Sequence, residues 1–196
     1  SRGLGDVYKR QADVKKVSNN EIEGSFDTYG RHWGGPENVK VHFVIRFDKD
    51  FERLDGWRDK ERYSDIDTLQ GSSIITRRHP KEELSYLDSP TSGVSAHYRV
   101  KTGDKICVRT AISYVSVDNA RENLENDAVT WDFDLVKKTS QDEWNKWLGR
   151  IEVKGGSQKQ RTKFYTDLWH VLLGRHKIDD VNGEYPDLTE GERYYS

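Results

Sequence analysis

An alternating segment, Val39–Phe47 (VKVHFVIRF), constrains the fold more than any other part of the sequence. Every second residue from Val39 to Phe47 is apolar, and Lys40, His42 and Arg46 occupy intervening positions. Because successive side chains of a β-strand point to opposite faces, this pattern predicts a strand with one buried face. The chain must therefore build a sheet whose core covers that face.

Further strands are predicted at Val94–Val100 and Ile106–Ser116, with a shorter candidate at Ser72–Thr76. Thr102-Gly103-Asp104 lies between the first two and suits a hairpin turn. Strands that follow one another without an intervening helix predict an antiparallel sheet or sandwich.

Two charged, turn-rich stretches, residues 48–71 and 77–93, are predicted to be long loops over the sheet. Asp48-Lys49-Asp50 begins like a calcium loop, but Arg53 stands where an EF-hand requires glycine, which favours a solvated loop. Arg77-Arg78-His79 is interpreted as a solvated loop face.

After Ser116 the period changes from strand-like to helical. Asp118–Asp127 is predicted to form a short helix or a helical turn. Capping-box patterns at Ser140–Glu143 and Ser157–Gln160 predict two helix starts. Apolar residues then follow at helical spacing, namely Trp144, Trp147, Leu148 and Ile151 in the first helix and Phe164, Leu168, Val171 and Leu172 in the second. Gly174 is the predicted C-terminal stop of the second helix.

The composition restricts the class of protein. Hydrophobic residues make up 33% and charged residues 34%, a lean core for 196 residues, whereas 6 Trp, 10 Tyr and 6 Phe argue against disorder. These values suit a fragment whose apolar faces meet a part that is missing. The net charge of −2 does not indicate a basic surface for nucleic acid. No apolar run is long enough to span a membrane. Ser1–Gln11 contains no apolar core of a signal peptide. Cys107 is the single cysteine, which excludes an internal disulfide and a cysteine metal site.

Four segments together resemble family 92 glycoside hydrolases, which are calcium-dependent, inverting exo-α-mannosidases. They are residues 41–51 (VHFVIRFDKDF), 111–134 (AISYVSVDNARENLENDAVTWDFD), 142–155 (DEWNKWLGRIEVKG) and 158–185 (QKQRTKFYTDLWHVLLGRHKIDDVNGEY). The resemblance implies an antiparallel β-supersandwich, a helical linker and an (α/α)₆ barrel, with the active site between sandwich and barrel.

The resemblance and the change of period together divide the chain into four parts. Residues 1–11 resemble a translated adaptor string and are predicted to lack order. Residues 12–117 are predicted to be part of the sandwich, 118–139 the helical linker, and 140–196 the start of the helical catalytic domain. The rest of that domain is the missing partner of this fragment.

The resemblance places the catalytic carboxylates and the Ca²⁺ ligands on later helices, so no catalytic acid, base or metal ligand is assigned here. Asp180, Gly183 and Tyr185 match a motif near the family's sugar site. The alternative, which we favour, is a turn around Asn182-Gly183, within the acidic cluster of Asp179, Asp180 and Glu184, that closes a helix–loop connection and packs Tyr185 on a helix.

Two aromatic residues have similar alternatives. Trp33, in a glycine-rich loop, is either a sugar-facing aromatic or, as we favour, a packing residue. His170, beside Trp169, is interpreted as a hydrogen-bonded packing residue.

For the whole protein the resemblance implies mannose-containing glycans as substrates and a secreted or periplasmic, bacterial location. Two alternatives stay open. One is another sandwich-plus-(α/α)₆ carbohydrate enzyme, such as a phosphorylase. The other is a non-catalytic carbohydrate-binding module, which would present aromatic residues on an open sheet face.

Overall fold

The computed structural model describes residues 7–29, 38–76, 92–173 and 178–186. Strands come first in the chain and helices follow. The strands are β1 (Val7–Ser18), β2 (Glu21–Tyr29), β3 (Asn38–Phe47), β4 (Arg53–Arg58), β5 (Glu61–Tyr63), β6 (Thr68–Thr76), β7 (Ser92–His97) and β8 (Val108–Ser113), and the helices are α1 (Val117–Asp127), α2 (Phe133–Leu148) and α3 (Gln158–Leu173).

The strands form two antiparallel sheets. Sheet A has the order β6-β1-β2-β3-β8, and sheet B has the order β5-β4-β7. Ile22 in sheet A, Leu54 in sheet B and Phe51 before β4 form one buried cluster, and partly buried side chains from both sheets pack against it. The predicted sandwich is therefore confirmed.

The alternating strand β3 is covered on both faces, not on one as its pattern predicted. Ile45 and Phe47 face the core between the sheets. Val44, which faces the other way, is completely buried against Ala120 and Leu124 of α1. The apolar Val44 at an outward position of the pattern is what allows α1 to pack there.

The prediction of a loop over residues 48–71 is wrong, because β4, β5 and the start of β6 lie there. The predicted hairpin around Gly103 is also wrong. β7 pairs with β4 in sheet B, whereas β8 pairs with β3 in sheet A, so the turn at 101–104 carries the chain from one sheet to the other. Local turn chemistry does not specify which sheet receives the next strand.

Residues 7–11 are ordered, contrary to the prediction for residues 1–11. Their backbone pairs with β6, from Val7 opposite Thr76 to Gln11 opposite Ser72. Residues 1–6 lie outside the described part of the chain, and the adaptor-like origin of this segment stays a prediction.

Two compact units divide the chain, one of residues 1–129 with 179–196 and the other of residues 130–178. In the second unit, α2 starts at Phe133, where Asp132 caps it by accepting from Leu135 N at 3.0 Å, so Ser140 is inside the helix and does not begin it. The second capping box is confirmed at α3, since Ser157 Oγ accepts from Gln160 N at 3.3 Å and Gln160 Oε1 accepts from Ser157 N at 2.8 Å. Gly174 lies outside the described residues.

Aromatic side chains hold α2 and α3 together. The Trp144 and Trp169 rings meet edge to face with centroids 6.2 Å apart. Trp147 and Val171 remain largely exposed, so the apolar faces of these helices are only partly covered within their own unit. In the part of the chain that the structure describes, no helix has the length and apolar character to cross a membrane.

Candidate functional site

The loop that follows α3 is a tight turn around Asn182-Gly183. Gly183 has a φ of +85°, a conformation that favours glycine, and its N–H donates to Asp180 O at 2.9 Å. Asn182 Oδ1 accepts from Glu184 N at 3.0 Å, and Asp180 N donates to Glu184 O at 2.8 Å. The predicted Asx/Gly turn is confirmed.

Asp180 is the buried centre of this loop, with 6% of its surface exposed. Its Oδ2 accepts from Ser113 Oγ at 2.6 Å and from Asn119 Nδ2 at 2.8 Å, and its Oδ1 accepts from Asn123 Nδ2 at 2.7 Å. We call these four residues the Asp180 cluster. It joins the loop to the end of β8 and to one face of α1.

The donors around Asp180 are themselves fixed by the backbone. Ser113 Oγ accepts from Val115 N at 2.9 Å. Asn123 Oδ1 accepts from Val181 N at 2.9 Å, and Asn119 Nδ2 also donates to Glu184 Oε2 at 2.8 Å. Ser116, the N-cap of α1, accepts from Asn119 N at 3.0 Å and donates to Asn119 Oδ1 at 2.9 Å. Ser113, Asn119 and Asn123 are therefore held in position to donate hydrogen bonds to one carboxylate from the loop.

The chemistry of the Asp180 cluster is that of an anchor. Amide and hydroxyl donors point at Asp180, whereas a cation needs oxygen lone pairs directed at it. Among the described residues no three or more His, Cys, Asp or Glu side chains come together as a possible metal site. The Asp180 cluster therefore does not fit a calcium ion, and its carboxylate, already engaged by donors, is poorly placed to protonate a sugar oxygen.

The candidate site residues divide in position. Asp180 is buried, Gly183 forms the turn, and Tyr185 is 67% exposed, so the prediction that Tyr185 packs on a helix is wrong. The hydrogen bonds of the tight turn end at Glu184, so they do not hold Tyr185. Trp33 and the segment 77–79 lie outside the described residues.

His170 is exposed, and its ring centroid lies 4.9 Å from that of Trp169.

Sequence reasoning missed Ser113, Asn119 and Asn123. Asn119 and Asn123 are one helical turn apart in α1, and two residues of modest helix propensity on one face of a helix were the available signal.

A second polar region lies where α1 meets sheet A. Glu21 accepts from Arg46 Nε at 2.5 Å and pairs with Arg121, which also pairs with Glu23. Burial alone would raise the pKa of Glu21, but the hydrogen bonds and charges of Arg121 and Arg46 outweigh it, and the pKa lies below its ordinary value. Arg121 thus joins α1 to β2, and Arg46 joins β3 to β2 through Glu21 and to α1 through Glu125 at 2.7 Å.

A cavity of about 330 Å³ opens on the same face of sheet A. Its lining includes the polar side chains of Asp13, Lys15, Glu23, Ser25 and Gln70, and Val117 of α1 borders it. Glu23 is already paired with Lys15 at 3.4 Å and with Arg121.

Comparison with known proteins gives this two-part fold a family. The model described as "Glycosyl hydrolase family 92 N-terminal domain" matches residues 1–113, and the model described as "Glycosyl hydrolase family 92 catalytic domain" matches residues 119–196. The chain belongs to glycosyl hydrolase family 92. The change from one model to the next falls at the start of α1, where the sequence changes from strand-like to helical period.

Solved structures agree in fold. The family GH92 inverting mannosidase BT2199 from Bacteroides thetaiotaomicron superposes with a TM-score of 0.70 at 19% identity, covering 93% of this chain and 23% of that one. The family GH92 α-mannosidase BT3965 from the same organism gives 0.65 at 21% identity, covering 91% of this chain and 22% of that one. The family 92 chain is thus a sandwich followed by the start of a helical domain, and it spans less than a quarter of these relatives.

Among curated proteins, an "Uncharacterized secreted glycosidase" from Arthroderma benhamiae is 27% identical over 96 residues. The match covers 46% of this chain and 12% of that protein.

Proposed function

We propose that the protein to which this chain belongs is a secreted or periplasmic glycosidase that removes terminal α-linked mannose from glycans by inverting hydrolysis. The supporting observation is the match of both family 92 models, in order, to the two halves of the chain. Solved relatives with this fold are described as mannosidases, and a curated relative is described as a secreted glycosidase.

Inverting hydrolysis needs one carboxylic acid to protonate the leaving oxygen and one carboxylate to activate water, about 6.5–9.5 Å apart. Asp180 suits neither role, since its oxygens face donors from Ser113, Asn119 and Asn123. Following the family resemblance, we assign both carboxylates to later helices of the protein, outside this chain. A calcium ion, which would polarise sugar hydroxyls, is likewise assigned ligands outside it.

The contribution of this chain is positional. Asp180 fixes the loop after α3 to α1, and this holds the exposed Tyr185 at a defined place on the first unit. The match of a catalytic-domain model to residues 119–196 counts against a stand-alone binding module.

The complete protein should hydrolyse 4-nitrophenyl α-D-mannopyranoside, and proton NMR of the first product should show β-mannose. A chelator should abolish turnover and added Ca²⁺ should restore it. The 196-residue chain, at equal concentration, should show no turnover. Release of α-mannose would refute inversion, preference for another glycoside would refute the substrate, and turnover by the chain alone would refute the assignment of the carboxylates.

A further inference from the structure

The turn after α3 contains a pair of residues that can react with each other. Asn182-Gly183 is the one place in the sequence where an asparagine precedes a glycine, and both residues are exposed. Because glycine has no side chain, its backbone nitrogen is free to approach the side-chain carbonyl of the residue before it. The chain itself joins the two groups, so the reaction between them is intramolecular and is favoured by proximity.

The hydrogen bonds of the turn prepare the carbonyl for attack. Glu184 N–H donates to Asn182 Oδ1 at 3.0 Å, so a donor already points at the oxygen on which negative charge develops when the carbonyl carbon is attacked. Asn182 Nδ2 donates to Glu122 Oε2 at 3.1 Å. Held at its oxygen and at its nitrogen, the amide keeps one orientation, with its carbonyl polarised.

One contact restrains the nucleophile. Gly183 N–H donates to Asp180 O at 2.9 Å, and this hydrogen bond must open before the nitrogen can lose its proton and turn towards Asn182. Because the side chain of Asp180 is fixed to β8 and α1, that opening requires a local fluctuation of the loop. The reaction is therefore slower in the folded chain than in the unfolded chain.

We propose that Asn182 is a site of spontaneous deamidation, and that its conversion to aspartate or isoaspartate loosens the loop from α1. Gly183 N gives its proton to water and bonds to Cγ of Asn182, the bond from Cγ to Nδ2 breaks, and the side-chain nitrogen leaves as ammonia. A water molecule then opens the cyclic imide. Opening at the side-chain carbonyl gives aspartate, and opening at the main-chain carbonyl gives isoaspartate.

Both products weaken the attachment of the loop to α1. They lose the hydrogen bond that Asn182 Nδ2 donates to Glu122, and they bring a second carboxylate close to that of Glu122, where like charges repel. Isoaspartate also adds one carbon to the main chain before Gly183, which displaces the Gly183 N–H from Asp180 O. The loop thus loses a hydrogen bond to α1 in both products, and its turn is distorted in one of them.

The test is incubation of the 196-residue chain at mildly alkaline pH, followed by tryptic digestion and mass spectrometry. The peptide of residues 178–193 contains Asn182 as its single asparagine, and the peptide of residues 139–146 contains Asn145, which is exposed in α2 and precedes Lys146. Conversion of Asn182 should be at least about tenfold faster than that of Asn145, because the next residue has no side chain. Fragmentation distinguishes aspartate from isoaspartate. Equal rates at the two asparagines would overturn the proposed site.

Hydrogen exchange at the Val181 amide, which donates to Asn123 Oδ1 at 2.9 Å, measures the loosening of the loop. The deamidated chain carries one more negative charge and can be isolated by anion exchange, and its Val181 amide should exchange faster than that of the fresh chain. Asn182→Gln keeps an amide but requires a larger ring, so its exchange should be the same before and after incubation. Unchanged exchange in the deamidated chain would refute the effect on the loop.

The restraint on Gly183 has its own test. Asp180→Asn weakens the anchor of the loop, so Asn182 should convert faster in this variant than in the parent, and the parent should convert faster in concentrated urea than in its absence. A rate in Asp180→Asn no higher than that of the parent would show that the hydrogen bond from Gly183 N to Asp180 O does not control the reaction.

Discussion

Replacing Asp180 by asparagine tests the Asp180 cluster with the smallest change in shape. The carboxylate receives three side-chain hydrogen bonds, of 2.6, 2.8 and 2.7 Å, and is 6% exposed. An amide at this position must direct its NH₂ group at Asn123, or at Ser113 and Asn119, all of which donate. The variant therefore places donor against donor in a buried site.

The magnitude follows from the hydrogen bonds that are lost. A hydrogen bond to a charged group contributes about 1.5–3 kcal/mol, and a buried donor left without a partner costs about 1–3 kcal/mol. Since the asparagine still offers one acceptor oxygen, we expect Asp180→Asn to lower the free energy of unfolding of the first unit, or of its loop, by about 3 kcal/mol.

The assay has a global and a local part. Urea unfolding followed by circular dichroism measures the first, and hydrogen exchange at the Val181 amide, which donates to Asn123 Oδ1 at 2.9 Å, measures the second. A loss of about 3 kcal/mol corresponds to exchange roughly a hundredfold faster.

The matched control is Asp167→Asn, because Asp167 forms an exposed ion pair with Lys163 on α3 and should matter by less than about 0.5 kcal/mol. If Asp180→Asn lowers the free energy of unfolding by less than about 1 kcal/mol and leaves Val181 exchange unchanged, the anchoring role is refuted.

Three further predictions concern the sandwich. The pKa of Glu21 is lowered in the fold, so its contribution to stability is present above about pH 4.5 and is lost as the pH falls below that value. The free energy of urea unfolding should therefore differ less between pH 7 and pH 3.5 in Glu21→Gln than in the parent. An equal difference in the two proteins would contradict the ion pairs. Gly24→Ala should destabilise the sheet by about 2 kcal/mol or more, because the added carbon would lie 2.0 Å from Asp13 O, and an unchanged thermal midpoint would show that the strands do not approach so closely. Leu54→Ala, at a side chain 1% exposed, should cost about 2–5 kcal/mol in chemical denaturation, whereas Leu135→Ala, at 51% exposure, should cost much less; similar values would place Leu54 outside the core.

Local pattern predicted the elements better than it predicted their partners. The alternation of β3 and the capping box at Ser157 are encoded by neighbouring residues, and both appear in the structure. β4 was missed because Arg53, Asp55 and Trp57 face outward and only Leu54 and Gly56 face the core, which gives a charged strand a loop-like composition. The early start of α2 was missed because its cap is Asp132, without the reciprocal Glu or Gln of a capping box.

The candidate site illustrates the same limit. The Asx/Gly turn at Asn182 follows from residues adjacent in sequence and was predicted. The anchoring of Asp180 depends on Ser113, Asn119 and Asn123, which are 57 or more positions away along the chain. No spacing rule links positions so far apart, since the sheet and α1 must form before these donors converge.

The anchoring of Asp180 also has a consequence for chain entropy. The polypeptide leaves the first unit after Val129 and returns to it at Asp179, so the second unit is an insertion in the first. The Asp180 cluster holds the point at which the chain returns. The entropic cost of closing such an insertion grows only as the logarithm of its length, about 0.6 kcal/mol for each doubling. Segments added between α2 and α3 would thus change the closure cost little, and this part of the chain is the place where the protein can gain residues without loosening its sandwich.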